Sequence, residues 1–167
     1  ELQGSEELSS MLEQNNIVVA YGHSDCPLDA LHPRDKNHLT HLFNAMSGID
    51  HKRPGLAAMP FVRNFSHATY ELVCDEVHVH PSVIDLTINS LGTERLCLIS
   101  DAMSLAGMGA GEGLYLGKQM YSNGKACYYR DSDILIGSAM LISDSAKNLF
   151  HKNLLDKQSF FQVASEN

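Results

Sequence analysis

His38-Leu39-Thr40-His41-Leu42-Phe43-Asn44-Ala45-Met46 carries a short apolar run straight into polar and small residues, and the same thing happens elsewhere in the chain. Ile17-Val18-Val19-Ala20 runs into Tyr21-Gly22-His23-Ser24-Asp25. Tyr70-Glu71-Leu72-Val73-Cys74 runs into Asp75-Glu76-Val77-His78, and Leu96-Cys97-Leu98-Ile99 into Ser100-Asp101-Ala102-Met103. Each run ends on a residue able to bind a metal, a phosphate or a proton. In a parallel α/β sheet or barrel the carboxyl ends of neighbouring strands form one rim, so residues placed there converge on one pocket. Polar groups scattered for solubility would not fall at the same place in every run. The pattern reads as the active-site half of an α/β enzyme.

Between these runs the chain has the punctuation of alternating strands and helices. Leu8, Met11 and Leu12 recur at helical spacing over Glu6–Asn15, and Asn15-Asn16 suits its end. Pro27 and Pro33 allow at most a short, broken helix before the next strand, and residues 47–69 read as irregular. Pro81 fits the first turn of a helix running to about Leu91, which Gly92 ends. Gly107, Gly109, Gly111 and Gly113 predict a flexible loop, and Asn123-Gly124 a hairpin inside an insert at about 114–130. Helices are expected over about Ser138–Phe150 and Asp156–Ser165. Strands alternating with helices favour a parallel arrangement.

Length and charge narrow the function. The 167 residues suit one domain, and a net charge of −8 speaks against nucleic acid as partner while leaving a small phosphorylated ligand open. No apolar run approaches the roughly 18–20 residues that span a membrane, and no secretory signal opens the chain. Cys74 and Cys97 sit in strand-like runs and read as buried thiols, and no CxxC spacing occurs. A reducing cytoplasm is the expected compartment. The absence of an initiating Met and the abrupt close at Ala164-Ser165-Glu166-Asn167 suggest a fragment.

The candidate chemistry follows from residue types at strand ends. His23 and His41 would deliver two imidazoles to one metal, and neutral imidazole suits zinc, iron or cobalt. The alternative is a pair of capping or core histidines. Asp101 reads as a general base acting on water, or as a turn aspartate. His78 and His80 flank Val79, so an extended backbone would put both on one face, as an anion clamp or a metal pair. Lys52 and Arg53 form a compact basic pair fit for phosphate, or are solvated charges. Asn44 could bond a sugar or amide group, or cap a following helix.

At these motifs the chain resembles the N-acetylglucosamine-6-phosphate deacetylases of the amidohydrolase superfamily. The matching strings are Gly22-His23-Ser24-Asp25, Thr40-His41-Leu42-Phe43-Asn44-Ala45-Met46-Ser47, Val77-His78-Val79-His80-Pro81 and Ser100-Asp101-Ala102-Met103. Gly107-Met108-Gly109, Leu116-Gly117 and Ile136-Gly137-Ser138-Ala139 follow in the same order. The resemblance implies the later half of a (β/α)8 barrel, with the early strands and a small β-domain missing; a whole barrel takes about 250 residues. It implies His23 and His41 as ligands of a divalent metal and Asp101 as catalytic acid/base. It implies substrate contacts from Asn44, Ala45, His78, Leu135, Ile136 and Gly137, with Lys52 at the position of the phosphate-binding arginine.

The implied reaction is hydrolysis of the acetamide of N-acetylglucosamine 6-phosphate to glucosamine 6-phosphate and acetate. A homodimer would share the phosphate site, as in related enzymes. The family's acidic metal ligand and carbonyl-polarising histidine lie on strands before Glu1. Lys52 can neutralise phosphate but lacks the bidentate fork of arginine. Glu76 stands where glycine is usual and would repel phosphate unless it points away, and the His23-to-His41 interval is short. A half barrel would also expose sheet edges and an apolar face. The alternative is a truncated, non-catalytic homologue that binds sugar phosphate or a partner chain.

Overall fold

A computed structural model describes residues 2–34 and 36–166, with the side chain of residue 166 left out. The chain forms two compact units, Glu1–Leu72 with Ser90–Cys97 and Val73–Asn89 with Leu98–Asn167. Among the described residues it is an α/β chain with two sheets, each of four strands.

The first sheet is ordered β1 (Val19–Tyr21), β2 (Asn37–Leu39), β3 (Thr69–Val73) and β4 (Leu96–Ile99). β1 pairs parallel with β2, and β2 with β3, so their carboxyl ends share one edge as the sequence predicts. Burial alternates along the strands, as a period of two requires. Val19, Leu39, Tyr70, Leu72 and Leu96 are buried with Leu42, Leu56, Met59 and Phe65. The residues between them, His38, Thr69, Glu71 and Cys97, stay partly exposed. That face mixes polar with apolar side chains, since Ala20 and Ile99 share it, and Cys97 is half-buried where full burial is predicted.

Helix α1 (Ser5–Gln14) carries Glu6 and Glu7 in its first turn, where the helix dipole favours acid. Its predicted apolar stripe does not become core, since Leu8 and Met11 are exposed. Arg34 ties it down instead: its guanidinium donates to Glu13 Oε2 at 2.5 Å, Glu6 Oε1 at 2.7 Å and Tyr21 Oη at 3.0 Å. The segment between β1 and β2 holds one 3-10 turn, Leu28–Ala30, as two prolines dictate. Residues Leu56–Phe61 and Arg63–Phe65 add two more 3-10 turns, the first almost wholly buried.

In the second unit α2 spans Pro81–Leu91, as predicted, and buries Ile84, Thr87 and Ile88 at i, i+3, i+4 spacing. The glycine-rich stretch corrects the expectation of a loop. Ala110–Tyr115 is strand β5, joined through Leu116-Gly117 to β6 (Lys118–Asn123). Both linking residues have positive φ, the two-residue turn whose twist matches a hairpin. β7 (Ala126–Tyr129) and β8 (Leu135–Ser138) complete an antiparallel sheet that outruns the predicted insert at both ends. Asn123 Oδ1 accepts the amides of Lys125 and Ala126 at 2.9 Å, closing the Asn-Gly turn. Tyr121 and Tyr128, register partners, stack at 5.4 Å. Helix α3 begins at Ile142, later than expected because Ser138 belongs to β8, and ends at His151. α4 (Lys157–Phe161) starts on Asp156, whose carboxylate accepts the Ser159 amide at 2.8 Å.

Candidate functional site

In the first unit the parallel pairing of β1 and β2 sets the chemistry. The pairing continues beyond the strands, with Thr40 N–H donating to Tyr21 O at 2.9 Å and Ser47 N–H to Ser24 O at 3.0 Å. Gly22 permits the approach, because a Cβ there would sit 3.0 Å from that of Thr40. His23 and His41 therefore stand side by side, their rings meeting edge to face at 4.8 Å between centroids. His41 is buried and its Nδ1 has no hydrogen-bond partner among the described residues; His23 is exposed. Both have left-handed backbones, φ 46° and 32°, as does Ala45 at 48°. Such conformations cost about 1–3 kcal/mol each and concentrate at functional sites.

The turn after His41 is held by its neighbours. Glu71 Oε2 accepts the His41 amide at 3.0 Å, and its backbone carbonyl accepts that of Leu42 at 2.8 Å. Glu71 Oε1 lies 3.2 Å from His38 Nε2, and His38 Nδ1 lies 2.7 Å from Thr69 Oγ1. Asn44 uses its side-chain nitrogen on the carbonyls of His41 and Leu42, at 3.2 and 3.3 Å, closing a turn and not the helix expected. A shallow depression of about 160 Å³ is lined by His23, Ser24, Asp25 and Ala45. A larger cavity of about 370 Å³ lies beside Arg34, Glu6, Glu13 and His32 and shares none of these residues. Its carboxylates, Glu6 and Glu13, are already engaged by Arg34, so chemistry favours the smaller one. Lys52 and Arg53 are exposed on a turn made by Asp50, which accepts both their amides at 2.8 Å.

In the second unit the strand-end residues Asp75, His78 and Asp101 form a chain of contacts. Asp75 Oδ1 accepts the amides of Val77 and His78 at 2.9 Å each, while Oδ2 lies 2.6 Å from His78 Nδ1. Both side chains are buried, at 1% and 5% exposure. Burial works to raise the Asp75 carboxyl, but the His78 ring and the two amides outweigh it, and its pKa is lowered. The far nitrogen, Nε2, lies 3.9 Å from Asp101 Oδ2, whose side chain is 42% exposed. The segment bends here, so the His78 side chain turns inward while His80 is exposed and accepts the Ser82 amide. The two histidines do not share a face, which corrects the extended reading.

Asp101 takes a positive φ of 49°, and its carbonyl accepts the Ser138 amide at 2.8 Å. Leu135 and Ile136 are half-buried on β8, and Gly137 is buried against Asp101 and Met103. Glu76 is neutralised rather than idle, with Oε1 2.5 Å from Lys152 Nζ and Oε2 3.8 Å from Lys125 Nζ.

No protein-family profile matches the chain. It is 27% identical to the N-acetylglucosamine-6-phosphate deacetylase of Bacillus subtilis (strain 168), over 96% of this chain and 41% of that protein. It is 30% identical to the N-acetylgalactosamine-6-phosphate deacetylase of Escherichia coli O157:H7, over 89% of this chain and 39% of that one. The crystal structure of N-acetyl-D-glucosamine-6-phosphate deacetylase from Mycobacterium smegmatis superposes with a TM-score of 0.79 at 28% identity. That match covers 98% of this chain and 43% of the other. This chain is a relative of the N-acetylglucosamine-6-phosphate deacetylases. It spans about two-fifths of the length of the curated deacetylases it matches.

For a deacetylase relative, the fit to a metal can be judged on donors. The adjacent His23 and His41 rings, one with an unpartnered buried nitrogen, suit two positions around a divalent cation. Among the described residues no group of three or more His, Cys, Asp or Glu is arranged to hold an ion. No helix among them is long and apolar enough to cross a membrane. The strand-end pattern includes Asp75 without giving it a role, and it leaves out Glu71. Both could have been flagged, because a carboxylate inside or ending an apolar strand is costly unless it is bonded.

Proposed function

We propose that this chain takes part in hydrolysing the acetamide of an N-acetylated hexosamine 6-phosphate, N-acetylglucosamine 6-phosphate foremost, to the amino sugar phosphate and acetate. The observation that carries this is the homology to the B. subtilis deacetylase along 96% of the chain. The parallel order of β1, β2 and β3, with histidines just beyond the first two strands, supports reading the first sheet as part of a (β/α)8 barrel rim.

His23 and His41 hold the divalent metal, zinc first and iron or cobalt as alternatives. A cation bound there supplies a more acidic water and a polarised carbonyl. Asp101 accepts the proton of the attacking water on its exposed carboxylate and returns it to the departing amine nitrogen. His78 contacts the substrate beside Asp101, and the backbone of Leu135, Ile136 and Gly137 lines the sugar. Asn44 and Ala45 line it from the turn after β2, and Lys52 offers phosphate a point charge. A second copy of the chain completes the phosphate clamp. Relatives of both gluco and galacto specificity leave the configuration at sugar C4 to be measured.

A second reading, a homologue that binds sugar phosphate without turnover, is favoured by the lack of a three-ligand cluster among the described residues. Metal analysis and calorimetry on the chain separate the two. The first reading expects bound zinc or cobalt that is lost in His23→Ala and in His41→Ala, with hydrolysis of phosphorylated over unphosphorylated N-acetyl sugar. Glucosamine 6-phosphate binding by metal-free protein supports the second. A chain that binds neither metal nor sugar phosphate refutes both.

A further inference from the structure

Asp75 is the most deeply buried carboxylate in the chain of contacts that ends at Asp101, and its bonds are divided in a telling way. Oδ1 closes the turn by accepting two backbone amides, a purely structural duty. Oδ2 has another occupation, the 2.6 Å contact with His78 Nδ1. An ionised carboxylate can only accept hydrogen bonds, so a contact this short requires the proton on Nδ1. In the neutral ring Nε2 then carries the lone pair.

That lone pair faces Asp101 Oδ2 across 3.9 Å, beyond hydrogen-bond reach. Two acceptors so placed disfavour each other until a group with at least two protons lies between them. An alcohol hydroxyl has one proton to donate; water, an amine or an ammonium has two or more, and of these only the nitrogen groups belong to the sugar that the deacetylase reading supplies.

We propose that Asp75 is a positioning residue that fixes His78 in the Nδ1–H tautomer, so that His78 Nε2 and Asp101 Oδ2 act as paired acceptors for the N–H groups of an amine. The identity of the amine, the amino group released from the sugar, rests on the deacetylase reading; the tautomer does not. Asp101 is then more than the carrier of a proton, because together with His78 it recognises the nitrogen to which that proton goes.

Asp75→Asn separates this role from the structural one. Only the amide oxygen can accept from Val77 and His78, so it takes the place of Oδ1 and the turn persists. The amide nitrogen is left against His78 Nδ1 as a donor, which forces the proton to Nε2. Imidazole 15N NMR on the full chain reads this directly, with the His78 signals assigned by loss in His78→Gln. The expected result is a protonated Nδ1 and an unprotonated Nε2 in the wild type, inverted in Asp75→Asn while the Val77 and His78 amides remain protected. A wild-type His78 protonated on Nε2, or a variant that folds with the tautomer unchanged, overturns the proposal. If the variant does not fold, the wild-type spectrum alone decides.

Binding provides the second arm. Wild type should prefer glucosamine 6-phosphate over glucose 6-phosphate by about tenfold, and Asp75→Asn should lose that preference. Equal affinity of the wild type for the two overturns the amine assignment. A wild type that binds neither sugar yet shows the expected tautomer counts against the deacetylase reading and leaves the role of Asp75 standing.

Discussion

Gly137→Ala tests whether the loop bearing Asp101 is seated by backbone contact with β8. A Cβ on residue 137 would lie 2.7 Å from Met103 Cγ and 2.9 Å from both Met103 Sδ and the Asp101 carbonyl oxygen. The methionine can swing aside; the carbonyl cannot, because it accepts the Ser138 amide at 2.8 Å. Gly137 also has φ 154°, on the side of conformational space that L-residues avoid. Overpacking of this kind costs about 1–3 kcal/mol, and holding alanine at such a φ about 1–3 more. Partial relaxation brings the sum to roughly 2–5 kcal/mol. Urea unfolding followed by circular dichroism measures the total. Hydrogen exchange at the Ser138 and Met103 amides, which join these two segments, locates it. A change below about 0.5 kcal/mol with both amides still protected would refute the contact as the source of Asp101's placement.

Other expectations follow from the same contacts. Asp75 has a lowered pKa, so its stabilising contribution is complete above the ordinary carboxyl value of about 3.9 and is lost as pH falls through its folded value. The stability gap between wild type and Asp75→Asn should therefore narrow as urea titrations move from pH 5 towards pH 2; a constant gap contradicts the assignment. Arg34→Ala should cost about 1–2 kcal/mol in urea unfolding, below the figure for a buried pair because Glu6 is 68% and Glu13 34% exposed. Glu71→Ala frees the His41 amide and should weaken cobalt binding about tenfold, and Glu71→Gln, which keeps an acceptor, should recover part of it. Cys74, buried with its thiol pushed up by burial and then by Asp75, should resist thiol reagents in the native chain; rapid labelling would place it at the surface.

The elements most legible in the sequence were those whose signals are local. Pro81 and Gly92 bracket α2, and the β-branched and aliphatic run Leu96–Ile99 is β4 to the residue. β5 was hidden because its glycines carry no side-chain pattern, and it is held by cross-strand bonds to β6 that no local rule contains. α1 was found for a reason the structure does not use. Its leucine and methionine stripe marks a helix, but Arg34, twenty residues beyond its end, anchors it. Within the site, His23 and His41 were legible as strand-end residues, and the parallel register then brought them together. The roles of Glu71 and Asp75 were not, since each acts through a partner three or more residues away whose orientation only the folded turn supplies.

The half-exposed face of the first sheet, with His38, Thr69, Glu71 and Cys97, sets a condition on anything that comes to rest there. A greasy covering would strip water from an imidazole and a carboxylate, a cost that their bonds to one another, to Thr69 and to the His41 amide offset only in part. Whatever covers this surface, whether another stretch of polypeptide or solvent alone, must bring donors and acceptors in matching places.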